Sequence, residues 1–296
     1  MSTYLGNHGE ARSAAERAMQ LYRCIGDQPG EAEALRELGF VHWHAAEYPA
    51  ALQCTREALA LHRRLGDIAG EASALHNLAE IHRDLGSPRQ AMELYEQALQ
   101  LHWAARSHEG EILSLFGMAN ALQLAGDLPG STRRYSEALK LSELHGERTM
   151  QSRALHALAM RHAAQKDLDS SLGLMRRAIE IDRAIGYAHG LGHDLVDLAC
   201  IHVDRGERAQ ARAALQEALV WFGFTEDHEA LASTRARISD IDSGGQMASA
   251  PAASRRGVKS HLPLGEGKVY CAFESPLGAG SDRDSQGRPR SSITMT

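Results

Sequence analysis

The sequence predicts an all-α protein, an α-solenoid of stacked antiparallel helix hairpins. Three observations carry that expectation. Gly30-Glu31-Ala32, Gly70-Glu71-Ala72 and Gly110-Glu111-Ile112 recur at intervals of 40 residues. Leucine holds the same register at 35, 75, 115, 155 and 195, and alanine holds it at 58, 98, 138, 178 and 218. Self-similarity at this period belongs to arrays in which each unit buries its apolar face against the next.

Residues 70–106 show the unit. Ala74, Leu75, Leu78, Ala79 and His82 lie three or four apart, which places them on one face of a first helix. Gly86, Ser87 and Pro88 break that helix. Ser87 is suited to cap the next one, with Pro88 at its first position. Ala91, Met92, Tyr95, Ala98, Leu99 and Leu101 then mark a second amphipathic helix. Small residues fix how closely the two can approach. Gly39, Ala79, Ala119, Ala159 and Ala199 share one position of the first helix, and Ala51, Ala91, Ser131, Ser171 and Ala211 share one of the second. The Leu65-Gly66-Asp67 corner, echoed at Gly26-Asp27 and Gly126-Asp127, ends a helix with glycine and turns or caps with aspartate.

Followed along the chain, the register divides it into four parts. Residues 1–29 are a partial repeat, the second helix only; Leu5-Gly6-Asn7 matches Leu85-Gly86-Ser87, and Ala11, Ala18, Leu21 and Ile25 carry the apolar face. Residues 30–226 are five hairpins, starting at 30, 70, 110, 150 and 190. Residues 227–242 are a C-terminal capping helix, in which Arg235 replaces the repeated leucine. Residues 243–296 are a disordered tail, rich in Gly, Ser and Pro and poor in apolar residues except Val269 to Phe273. Within it, Arg288-Pro289-Arg290-Ser291-Ser292 has the form of a basophilic kinase acceptor. A start in mid-repeat leaves an apolar face of helix 8–25 uncovered. That implies a truncated or excised chain, or a face covered by another subunit.

Composition excludes several function classes. Lys and Arg number 32 against 38 Asp and Glu, a net charge of -6. The tail carries seven basic and four acidic residues, +3, so the body stands at -9. Nothing in that balance favours nucleic acid. Cys24, Cys54, Cys200 and Cys271 have neither pairing nor metal spacing, which reads as reduced thiols in a cytoplasmic protein. Residues 1–12 are polar, unlike a signal peptide, and no stretch approaches 18 uninterrupted apolar residues, so no membrane partner is expected.

Sixteen histidines raise the question of metal. His42, His82, His162 and His202 share one unit position and should sit a full repeat apart, which is packing rather than chelation. His42 and His44 fall on different faces of their helix, unlike an i, i+4 zinc pair. No Gly-rich phosphate loop and no nucleophile–base arrangement stands out. The expectation is no catalytic residue, no metal, no cofactor and no enzyme.

In this pattern the chain resembles the tetratricopeptide-repeat family in its long-unit variety, known from kinesin light chains, Pins-type adaptors and bacterial STAND regulators. Leu75, Leu78-Ala79, His82, Ala91, Tyr95 and Ala98 meet the family pattern in order, as do Leu115, Met118-Ala119, Leu122, Ser131, Tyr135 and Ala138. The match spans residues 5–241. The resemblance implies a right-handed superhelix whose first helices line a concave groove, and a protein-interaction scaffold or adaptor that binds a peptide or partner segment there. Carried onto this chain, the groove takes Arg36, Phe40 and Trp43, then His76, Asn77, Glu80 and Arg83, then Phe116, Asn120 and Gln123, and beyond them Arg153, His156 and Asp197. Phe40, Trp43 and Phe116 are apolar on a face expected to be solvated, which suits anchors for an extended segment; packing of Trp43 on the neighbouring unit is the alternative. The chaperone-type carboxylate clamp is not matched: Asn77 fits and Arg36 could stand in for its first lysine, but Phe40, Leu113 and Gly117 occupy the other positions. Of Phe40, Glu80, Asn120, Met160 and Cys200, at the position where Pins-type arrays carry asparagine, only Asn120 conforms. A second reading is the sensor or autoinhibitory portion of a larger signalling ATPase or transcriptional regulator. A third is self-association through the uncovered helix 8–25.

Overall fold

The computed structural model describes residues 8–243. Leu5-Gly6-Asn7, the expected disordered tail after Ser243, the 269–273 island and the 288–292 acceptor lie outside the described residues. Twelve helices and no strand occur among those described: α1 His8–Ile25, α2 Gln28–His44, α3 Tyr48–Leu65, α4 Ile68–Asp84, α5 Pro88–Ala105 and α6 His108–Leu124. α7 Leu128–His145, α8 Arg148–Ala164, α9 Leu168–Ile185, α10 Ala188–Asp204, α11 Arg208–Phe224 and α12 His228–Asp242 complete the array. Each helix packs on the next, with the tightest pairs α2–α3, α4–α5, α6–α7, α8–α9 and α10–α11. This is the stacked-hairpin solenoid that the 40-residue register predicts. No described helix is long and apolar enough to cross a membrane.

The corners reveal a finer period. A residue with φ between 53° and 84° stands at 26, 46, 66, 86, 106, 126, 146, 166, 186, 206 and 226, every 20 residues. Seven of these are glycines, and Ala46, Arg106, Lys166 and Glu226 adopt the same left-handed conformation at a steric cost. The next amide closes each helix on the carbonyl five residues earlier, as in Asp67 N to His62 O at 3.0 Å and Asp167 N to His162 O at 3.0 Å. That closing residue then starts the next helix. Asp27, Asp67, Ser107, Asp127, Asp167 and Asp227 each accept a backbone N–H three residues on, at 2.9 to 3.3 Å. Ser87 is a correction: it occupies the cap position but makes no side-chain cap bond, and Pro88 alone preorganises that turn.

The recurring Gly-Glu-Ala now has a cause at each letter. A Cβ on Gly70 would lie 2.0 Å from the His62 ring, on Gly110 2.1 Å from His102, and on Gly30 2.4 Å from Tyr22. Glycine is required because the last-turn ring of the preceding helix rests on it. In the first two copies the glutamate answers an arginine eight residues earlier, Glu31 with Arg23 at 2.6 Å and Glu71 with Arg63 at 2.8 Å, whereas Glu111 is buried and faces His108 at 3.6 Å. The third residue, Ala32, Ala72 or Ile112, is wholly buried.

The small-residue columns behave as expected. Ala79, Ala119, Ala159, Ala199 and their partners Ala51, Ala91, Ser131, Ser171 and Ala211 have no exposed surface. A Cβ on Gly39 would meet Thr55 Oγ1 at 2.4 Å, and Ser171 donates to the Ala159 carbonyl at 2.8 Å. The repeated histidines pack at the corners. His42 reaches Glu47 at 2.5 Å, His162 reaches Asp167 at 2.9 Å and His202 reaches Glu207 at 2.6 Å, each joining a first helix to the start of the second.

The ends are less buried. α1 contributes no buried residue and exposes Leu21 and Ile25, one turn apart. α12 buries only Thr234 and Ile241.

Candidate partner-binding groove

The first helices of successive hairpins approach one another, α2 with α4 and α4 with α6, while α3 and α5 do not come so close. Helices that crowd together lie on the inner side of a curved stack, so α2, α4 and α6 line its concave side.

From α2 onward this side carries a chain of polar contacts. Arg36 is buried, with its guanidinium held by Glu33 and Glu37. Phe40 meets the Trp43 ring edge-on at 5.7 Å and the His44 ring at 4.2 Å. Trp43 is only 2% exposed, and its Nε1 donates to Asp84 Oδ2 of the next hairpin at 2.8 Å. Asp84 also accepts from Arg83 at 2.7 Å, Arg83 pairs with Glu80 at 2.7 Å, and the Tyr95 hydroxyl donates to Glu80. One hydrogen-bonded line, Trp43–Asp84–Arg83–Glu80–Tyr95, thus ties two hairpins together. Burial pushes the His76 imidazole, edge-on to Tyr95 at 5.4 Å, below its usual pKa. Burial, reinforced by Glu80, raises the Tyr95 phenol.

The third hairpin repeats the device with other residues. Phe116, buried, lies edge-on to Tyr135 at 5.6 Å, and the Arg153 guanidinium of α8 stands over its ring at 5.2 Å. The Tyr135 hydroxyl donates to Asn120 Oδ1 at 2.5 Å. In the fourth, buried His156 faces Asp194 at 2.8 Å and Asp197 at 3.4 Å, both from α10 and both buried. Cys200 accepts from Arg237 of α12 at 3.4 Å.

Two tetratricopeptide-repeat family models match this chain, one over residues 2–64 and 30–102, the other over 152–189. The chain is a tetratricopeptide-repeat protein. No curated protein matches its sequence. Among solved structures, this tetratricopeptide-repeat protein is similar to BtubC (BKLC) from P. vanneervenii, at 17% identity over 74% of this chain and 92% of that one, with a TM-score of 0.64. It is similar to a Rap protein complexed with competence and sporulation factor, at 14% identity over 82% of this chain and 72% of that one, TM-score 0.60. It is also similar to a STAND protein with a tetratricopeptide repeat sensor from Pyrococcus horikoshii, at 14% identity and a TM-score of 0.62, covering 74% of this chain but 34% of that one. Identities this low establish the shared fold alone.

Measured against the resemblance, the groove of this tetratricopeptide-repeat protein divides in two. Phe40, His76, Arg83, Asn120, Gln123 and Arg153 are partly exposed. Arg36, Trp43, Asn77, Glu80, Phe116, His156 and Asp197 are buried. The expectation that Phe116 stands as a solvated apolar side chain is corrected, and for Trp43 the alternative, packing on the neighbouring unit, is what the structure shows. Both pack against the following hairpin, because adjacent first helices leave no solvent between them at those positions.

Sequence reading alone left out Tyr95, Tyr135 and Asp194 as partners of groove residues. The tyrosines carried a signal: each lies 15 residues after a polar groove residue, Glu80 or Asn120. Asp194 carried another, standing in a column otherwise held by Ala34, Ala74, Ser114 and Ala154.

Proposed function

We propose that this chain is a non-catalytic scaffold or adaptor whose concave side binds an extended segment of a partner protein. The observation that carries the reading is the pair Asn77 and Asn120 on neighbouring first helices. Asn77 is buried, and its Nδ2 has no hydrogen-bond partner. The Asn120 oxygen is occupied by the Tyr135 hydroxyl, which turns its amide nitrogen into the available donor. Asparagine donors spaced along a groove suit the main-chain carbonyls of an extended peptide, a mode in which backbone contacts give affinity and side-chain pockets give selectivity.

The test is affinity capture from native extract with the wild-type chain beside Asn77→Ala/Asn120→Ala and Arg153→Ala variants, folding checked by circular dichroism. Partners held by the wild type should be lost from the double variant at equal helicity. An unchanged set of captured proteins overturns the groove assignment.

A second reading has one observation in its favour, the shared fold with the sensor of the Pyrococcus horikoshii STAND protein. On it the array is the sensor or autoinhibitory part of a larger signalling ATPase or transcriptional regulator. Sequencing the locus on both sides decides it, and a locus lacking any ATPase or DNA-binding segment eliminates it.

A further inference from the structure

We infer that His189, His193 and Asp227 form a binding site for a borderline divalent metal ion, zinc foremost, between the first two turns of α10 and the N-cap of α12. The reasoning starts from spacing. His189 and His193 stand at i and i+4 on α10, one above the other on a single helix face. Their rings are 4.7 Å apart. This is the helical pair that His42 and His44 fail to make. Asp227 comes from another element, the residue that ends the α11–α12 corner and caps α12.

One ring nitrogen from each histidine and one carboxylate oxygen from Asp227 all lie within 4.8 Å of one another. A tetrahedral zinc ion, with ligands at about 2.0–2.2 Å, needs donors roughly 3.3 Å apart. All three side chains are partly exposed, so rotation about their own torsions can close the difference, and an ion can enter from solvent. Two imidazoles and a carboxylate select zinc or a similar first-row ion over magnesium or calcium, which prefer oxygen alone.

The surroundings orient two of the ligands. Asp227 Oδ1 accepts the Ala230 amide at 2.9 Å, which fixes the carboxylate while its remaining lone pairs stay on hand. His193 lies edge-on to Phe222 at 5.1 Å. Gly192 makes that approach possible, because a Cβ there would meet the Phe222 ring at 2.7 Å. Three protein ligands leave a fourth position, open to water or to a donor from a partner. The ion would pin α12, which has only two buried side chains of its own, to the fifth hairpin.

Cobalt(II) titration of the full chain, stripped of metal by chelation, reads the site directly. The wild type should bind one equivalent with the visible absorption of a tetrahedral ion, zinc should displace it, and zinc should raise the melting temperature by mass action. His189→Gln and Asp227→Asn should each weaken binding at least about tenfold. Asparagine retains the α12 cap, so the second variant separates ligation from folding. Equal binding by the wild type and both variants, which would assign the metal to other histidines or to Cys24, overturns the proposal. So does the absence of any cobalt or zinc binding by the wild type.

Discussion

Residue identity matters most at the eleven left-handed corners. At Gly66, φ is 68°, and a Cβ would meet nothing nearby, so the cost of a side chain there is backbone strain alone. Ala46 already bears that strain at a φ of 59°. Gly66→Ala should therefore destabilise by roughly 1 kcal/mol and Ala46→Gly should stabilise by up to about the same amount, since the left-handed region disfavours an L side chain by about 1–2 kcal/mol before glycine's added chain entropy is counted. Urea midpoints of the two variants check this; a shift of the same sign in both would refute it. The corner position is legible wherever it holds glycine. Ala46, Arg106, Lys166 and Glu226 hide it, because nothing in an alanine or a lysine announces φ > 0.

At the scale of a helix, stability is concentrated where one element hands over to the next. The Asp67 carboxyl is held below its ordinary pKa by the Gly70 amide first and the His62 ring second. Asp167 is lowered through Ser170 and His162. Glu47 is lowered chiefly by His42, and Glu207 by Arg205 and then His202. Depressed carboxyls contribute stability above their unfolded pKa, near 4, and lose it as pH falls through the folded value. His102 acts at higher pH. Burial, with His76 adding to it, lowers its pKa to about 4. The unfolded chain thus takes up a proton that the fold refuses, and stability declines from the ordinary histidine range near pH 6.5 downward. The urea midpoint should fall between pH 7 and 4.5, before the carboxyls titrate, and His102→Gln should flatten that part of the curve. An identical slope in the variant would rule His102 out as its source. These handovers were partly readable: aspartate after glycine signals a cap, whereas the His–acid joint at i and i+5 emerges only when two helices meet at a corner.

The whole molecule is a one-dimensional stack, so its protection should follow its burial. α1 has no buried side chain and α12 has two, while α6 and α10 bury ten residues each. Amide exchange should be fastest in α1 and α12 and slowest in α4 to α10, with saturating zinc slowing α12 selectively if the His189–His193–Asp227 site forms. Uniform protection along the array would contradict a stack of nearest-neighbour contacts. Trp43 marks how neighbouring units couple. Its indole donates to Asp84, 41 residues on, and the line through Arg83, Glu80 and Tyr95 spans the joint between two hairpins.

The sequence by itself determined the repeat, its helix hairpins and the columns of small residues. All of these follow from local periodicity, and every unit states them again. Only the tertiary structure decided what lies between units. Trp43 and Phe116 face the groove in sequence register, yet the next first helix covers them, and Asn77 is buried. Asp194 meets His156 from 38 positions away, and Asp227 reaches His189 and His193 across a helix. Such contacts depend on the angle at which one hairpin stacks on the next. That angle is set by the fit of many side chains at once, and no single repeat records it.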